Sequence, residues 1–161
     1  MSIETRLREL GLTPSEPFRG PAGARYPFSW VRVRGDRAYV SGHLPLQPNG
    51  SLPARLGKVG QDFTLEEGAQ AARLAGLSML GSLQRELGDL DRITAWLRVL
   101  GMVNVAPGFT QISGVVNGFS ELIFQVFGPE IGAHSRSAVG MAELPFGVPV
   151  EIEAEVEIRR G

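Results

Sequence analysis

The sequence predicts an α+β fold in which two helices cover one face of a single β-sheet, in the order β-β-α-β-α-β-β. Three observations carry this. Residues 150–158 read VEIEAEVEI, alternating apolar and acidic side chains with the period of two expected of a strand with one buried face. Residues 64–88 combine a capping-box start, apolar and small residues at spacings of three and four, and a glycine stop, which is the pattern of an amphipathic helix. A second apolar helical pattern over about 109–127 also needs a sheet to cover. With both helices on one side, the other sheet face meets solvent or another subunit.

The elements follow in order. Residues 3–10 have the alternation of a short amphipathic helix ending at Gly11. The run TPSEPFRGPAGARYP after it is too rich in proline and glycine for regular structure, so residues 1–27 are expected to be a helix and an irregular extension, either a mobile arm or packed on a neighbour. SWVRVR and RAYVSG, joined by Gly35 and Asp36, form a hairpin whose Arg32 and Arg34 point to one face and are plausible partners for the glutamates of the last strand. A Pro/Gly-rich loop leads to Thr64, the predicted N-cap, with Glu67 completing the box. Leu65, Ala69, Ala72, Gly76, Met79 or Leu80, Leu83 and Leu87 then form the stripe up to Gly88. RITAWLRVLGMV (92–103) is a strand, Phe109, Ile112, Val116, Phe119, Ile123 and Val126 line the second helix, and SAVGMAEL precedes the final strand.

Composition narrows the function. A chain of 161 residues with 43% hydrophobic content can bury a core, and its length suits one domain over residues 1–161. The net charge of −1 supplies no general basic field for a polyanion. Lys58 is the only lysine; the bias to arginine favours fixed, bidentate pairing, although GC-rich coding produces the same bias. Without cysteine there is no disulfide, thiolate nucleophile or thiolate metal site, and neither H-x-x-x-H nor a clustered carboxylate–histidine spacing occurs, so no metal and no cofactor is expected. The charged N-terminus and the lack of a membrane-length apolar window predict a soluble cytoplasmic protein.

Two stretches carry the chemistry. YVSGHLPL spans Tyr39 to Leu46, and HSRSAVGMAELPFGVPVEIEAEVEI holds Arg136, an LP turn at Leu144–Pro145 and the alternating strand. Together they resemble the RidA/YjgF family, also called the endoribonuclease L-PSP family, over residues 28–158. That family has S-G-Q-x-P after the first hairpin, an N-x-x-[YF]-E-type helix mid-chain, and A-R-[ST]-x-V before L-P and I-E-I-E-A. The counterparts are Ser41-Gly42-His43-Leu44-Pro45, Asn117, Ser135-Arg136-Ser137-Ala138-Val139 and Val150-Glu151-Ile152-Glu153-Ala154. The usual glutamine is replaced by His43 and a usual tyrosine by Phe28, Ala138 stands where many members have cysteine, and the N-terminus and mid-chain loop are longer, as in the longer YjgF/chorismate-mutase-like branch.

The resemblance implies a chorismate-mutase-like homotrimer with clefts between subunits and the glutamate face of the last strand turned inward. It implies hydrolysis of 2-imino and enamino acids to 2-oxo acids and ammonia, with Arg136 pairing the substrate carboxylate and Glu151 positioning water. Phe28, Ser41, Gly42, His43, Asn117 and His134 complete the expected substrate site. Simpler roles stand beside these: ion pairs for Arg136 and Glu151, a helix-to-loop hydrogen bond for Asn117, a strand-ending turn at Ser41–Gly42, and exposed loop positions for the histidines. Two rival functions are RNA cleavage, with the histidines as acid and base, and non-catalytic binding of a small carboxylate. The missing basic, aromatic-interleaved run argues against nucleic acid.

Overall fold

The computed structural model describes residues 1–161. In chain order the elements are Ile3–Glu9 (α1), Val31–Arg34 (β1), Arg37–His43 (β2), Leu65–Leu87 (α2), Ile93–Asn104 (β3), Ile112–Ile131 (α3), Ser135–Met141 (β4) and Val150–Ile158 (β5). The strands form one mixed sheet in the order β1-β2-β5-β3-β4, antiparallel except for the β3–β4 pair. The predicted α+β architecture is the observed one. No helix is long and apolar enough to cross a membrane.

Strand β5 explains how the layers form. Val150, Ile152, Ala154, Val156 and Ile158 are buried with the residues of α2 and α3, while Glu151, Glu153, Glu155 and Glu157 turn to the face that carries no helix. Each apolar residue removed from water contributes on the order of 1.5–3 kcal/mol, so the alternation decides which face the helices cover. Arg32 and Arg34 do not pair with these glutamates. β1 is the sheet edge and β2 lies between it and β5, so Arg37 is the cation within reach and its Nη1 donates to Glu155 at 2.9 Å.

Helix α2 starts and stops as predicted. The Thr64 hydroxyl accepts from Glu67 N–H, and Gly88 closes the helix in the left-handed region at φ 78°. Its buried stripe is broader than the sequence spacing implies: Gly68, Ala71 and Ala75 are inside, whereas Leu65 and Ala69 are only half-buried. α3 crossing on one side and the sheet below give this helix two buried flanks. At the crossing a Cβ on Gly118 would lie 2.0 Å from the Ala69 carbonyl oxygen, where only glycine lets the two backbones meet. Gly118→Ala is expected to cost at least about 2 kcal/mol in chemical denaturation, because the obstruction is backbone and cannot rotate away.

The ends of two elements differ from expectation. Helix α3 begins at Ile112, leaving Phe109 in the preceding turn, and it runs to Ile131 across a non-helical break at Gly128 (φ 81°, ψ 174°). Strand β4 begins earlier than the SAVGMAEL reading and ends at Met141, so Arg136 lies within it. The N-terminal segment packs on its own chain. Ile3 N–H donates to Asp91, Leu90 N–H donates to Glu4, and Arg6 Nε donates to the Gln125 carbonyl at 2.8 Å.

Candidate functional site

The residues singled out by sequence fall into three separate groups. The first is built on α3 and β4. Register places Arg136 opposite Val99 and, through it, Ala154, so its side chain leaves the sheet on the helix-covered face. There its Nη1 donates to Asn117 Oδ1 and Ser120 Oγ, both at 3.0 Å, and Nη2 donates to Ser113 Oγ at 2.7 Å. Ser113, Asn117 and Ser120 lie at i, i+4 and i+7, one polar stripe down an otherwise apolar helix. No carboxylate pairs with Arg136 in this chain, and burial alone pulls its pKa below the usual guanidinium range.

His134 belongs to the same group. Its Nδ1 lies 2.7 Å from the Gly132 carbonyl, which only accepts, so Nδ1 carries the hydrogen and Nε2 accepts from Ser120 Oγ at 2.9 Å. Ser120 therefore receives from Arg136 and donates to His134. Burial and, to a smaller extent, the Arg136 charge lower the His134 pKa, in keeping with a neutral ring.

The second group sits on the open face. Glu151 lies opposite Met102, which pairs with Val139, a different side of the sheet from Arg136. A Cβ on Gly42 would meet Glu151 Oε2 at 2.6 Å, so glycine at the bulge between Val40 and His43 is what lets this carboxyl rest on β2. Glu151 has no hydrogen bond or ion pair in the chain, and burial, assisted by Glu153, raises its pKa. Ser41 holds the hairpin: its Oγ donates to the Ser29 carbonyl at 2.7 Å and its N–H to the Trp30 carbonyl.

The third group contains His43 and Phe28. His43 is 3% exposed and points to the helix face, against Trp30 at 5.5 Å between ring centroids. Its Nδ1–H donates to the Ser41 carbonyl at 2.6 Å, and Nε2 accepts from Ser82 Oγ at 2.8 Å. Burial pushes its pKa down to about 4. Phe28 stacks edge-on against Trp30 at 5.0 Å, at the rim of a cleft that neither Arg136 nor Glu151 lines.

With this geometry in view, the family described as "YjgF/chorismate_mutase-like, putative endoribonuclease" matches residues 4–149. The chain belongs to the YjgF/chorismate mutase-like family. It is 44% identical to Protein TCP17 of Trypanosoma cruzi over 158 residues, covering 97% of this chain and 94% of that one. The crystal structure of Atu1372 from Agrobacterium tumefaciens, a protein of unknown function, is 38% identical with a TM-score of 0.83, covering 98% of this chain and 92% of that one. E. coli TdcF with bound serine shares the fold at 19% identity and a TM-score of 0.58, over 91% of this chain and 95% of that one.

Against the family motifs, sequence reasoning missed Ser113 and Ser120, which hold the Arg136 fork. The signal was present as the polar i, i+4, i+7 stripe of α3. The direction of His43 carried no such signal, because only the bulge after Val40 decides which face it takes.

Proposed function

We propose that this YjgF-family protein hydrolyses 2-imino and enamino acids to 2-oxo acids and ammonia, in a site that two copies of the chain complete. The observation behind it is the Arg136 guanidinium, braced by three neutral side chains and left without an anionic partner. A fork fixed in this way pairs a carboxylate through two parallel charge-assisted hydrogen bonds without first breaking an internal ion pair. The serine bound to TdcF is a small carboxylate-bearing molecule, in keeping with such a ligand.

Arg136 and Glu151 leave opposite faces of one sheet, so one chain does not bring both to a single small substrate. A second copy supplying Glu151 and Gly42 to the Arg136 side of the first meets this requirement, as in the homotrimer with intersubunit clefts that the family resemblance implies. The chemistry then asks little of the protein. A protonated imine is already electrophilic at carbon; Glu151 takes a proton from water as its oxygen attacks, giving a carbinolamine. That proton passes from Glu151 to nitrogen, the C–N bond breaks as Glu151 takes the hydroxyl proton, and 2-oxo acid and ammonia leave. The raised Glu151 pKa makes its carboxylate a better base for this step.

RNA cleavage by His43 and His134 is the less favoured alternative reading. His43 and His134 belong to different groups, each is locked by two hydrogen bonds, and His43 is poorly placed for proton transfer near neutrality with a pKa of about 4.

The test supplies 2-aminoacrylate from a serine dehydratase, traps free imine with semicarbazide, and follows 2-oxo acid release with and without protein. Release equal to the blank removes the proposal. Glu151→Gln is expected to lower turnover about a hundredfold while leaving the melting temperature at pH 7 unchanged or higher. The sign follows from its raised pKa: above the ordinary carboxylate range the ionised group costs stability in the fold, and the neutral amide does not. Mixing inactive Glu151→Gln with inactive Arg136→Ala chains through unfolding and reassembly is expected to restore part of the activity. No restoration would remove the pairing of Arg136 and Glu151 across two copies.

A further inference from the structure

The structure holds a second arginine built like the first. Arg85 donates from Nη2 to Ser82 Oγ at 3.2 Å; Ser82 donates to His43 Nε2; and His43 Nδ1–H is pinned on the carbonyl two residues before it. Arg136, Ser120 and His134 repeat this chain of contacts, down to the carbonyl two residues before the histidine. In both, a neutral histidine orients a serine hydroxyl whose oxygen receives the guanidinium. Arg85 Nη1 is held as well, by the Ser15 carbonyl at 2.9 Å, so the fork has a fixed direction.

That fork borders a cleft of about 470 Å³ between α2 and the N-terminal segment, walled by Phe18, Phe28 and Trp30 and floored by His43 and Ser82. The volume is that of small-molecule sites. Its lining carries two cations, Arg32 and Arg85, and one anion, Glu86, with His43 neutral at pH 7. Within the lining the cations outnumber the anion and lie beside aromatic walls, and the Glu16 carboxylate, close enough to act on Arg85 but outside the lining, offsets part of that charge. We propose that this cleft is a second ligand site, for a small carboxylate carried on a flat apolar ring, with Arg85 pairing the carboxylate and Phe18, Phe28 and Trp30 taking the ring.

This site goes beyond the imine-hydrolase reading and does not depend on it. Arg136 belongs to β4 and the cleft to the β1–β2 side of the five-stranded sheet, three to four strands away, about 14–19 Å at ordinary strand spacing. A rigid, pre-set fork and rings with few rotatable bonds keep the ordering cost of binding low.

The indole N–H resonance of Trp30 reports on the cleft, since Trp96, the other tryptophan, is 1% exposed in the core. Benzoate, benzamide and acetate are titrated into the full chain while that resonance is followed. Benzoate is expected to shift it saturably, with benzamide and acetate at least about tenfold weaker, since one lacks the charge and the other the ring. Arg85→Gln is expected to weaken benzoate at least about tenfold, and Arg136→Gln to leave the Trp30 titration unchanged. A Trp30 signal that does not saturate, or benzamide equal to benzoate in the unsubstituted protein, overturns the proposal whether or not Arg85→Gln folds. A titration lost in Arg136→Gln but kept in Arg85→Gln would assign the carboxylate to the first site instead.

Discussion

Arg136→Ala is expected to bring 2-oxo acid release down at least about a hundredfold, to the level of the blank. The magnitude follows from removing a bidentate, charge-assisted pair: two such hydrogen bonds at about 1.5–3 kcal/mol each amount to a factor of a hundred or more. Fold stability should change far less. The partners left behind, Ser113, Asn117 and Ser120, are neutral and half-buried or exposed, so water replaces the guanidinium. Arg136→Lys is expected not to restore turnover, because one ammonium cannot reach Ser113, Asn117 and Ser120 while presenting two parallel donors to a carboxylate. The assay compares initial rates at matched protein concentration, with circular dichroism confirming the fold. Full activity in the alanine variant would remove Arg136 from the site.

The second large effect is on acid stability. His43 in the fold has a pKa of about 4, well below the roughly 6.5 of an unfolded histidine. As pH falls through 6.5 the unfolded chain takes up a proton that the folded chain refuses until about pH 4, so stability is lost across that window. A difference of about 2.5 pH units corresponds to about 3 kcal/mol, a large part of a domain's total. His134, also lowered, acts in the same direction, and Glu151, raised, opposes it. His43→Gln keeps a donor for the Ser41 carbonyl and an acceptor for Ser82 without the titration. Denaturant midpoints at pH 7.5, 6, 5 and 4 should therefore converge or cross, the variant losing about 3 kcal/mol less than the parent by pH 4. Parallel curves would mean that His43 is hydrated and titrates normally.

Arg136 could be chosen from the S-R-S-A-V context alone, since the residue type is the chemistry. Its partners could not. Ser113 and Ser120 are ordinary helix residues until the parallel pairing of β3 and β4 lays Arg136 across α3. His43 shows the opposite failure. The S-G-H motif suggested a ligand-facing side chain, and the bulge after Val40 turned it into the helix layer, where burial removed it from titration near neutrality.

By itself the sequence determined the local elements whose causes are local. The alternation of β5, the Thr64 cap and Gly88 stop of α2, and the Gly35–Asp36 hairpin turn all depend on neighbouring residues, and they stand where the pattern puts them. Tertiary structure alone decided which charges meet. Strand order put Arg37 rather than Arg32 or Arg34 beside Glu155, sent Arg136 and Glu151 to opposite faces, and folded the N-terminal segment over α2 to enclose the aromatic cleft beside Arg85. The physical reason is that hydrophobic burial, which the pattern encodes, sets only which face of each element turns inward. Pairing between elements far apart in the chain fixes everything that a polar side chain can reach.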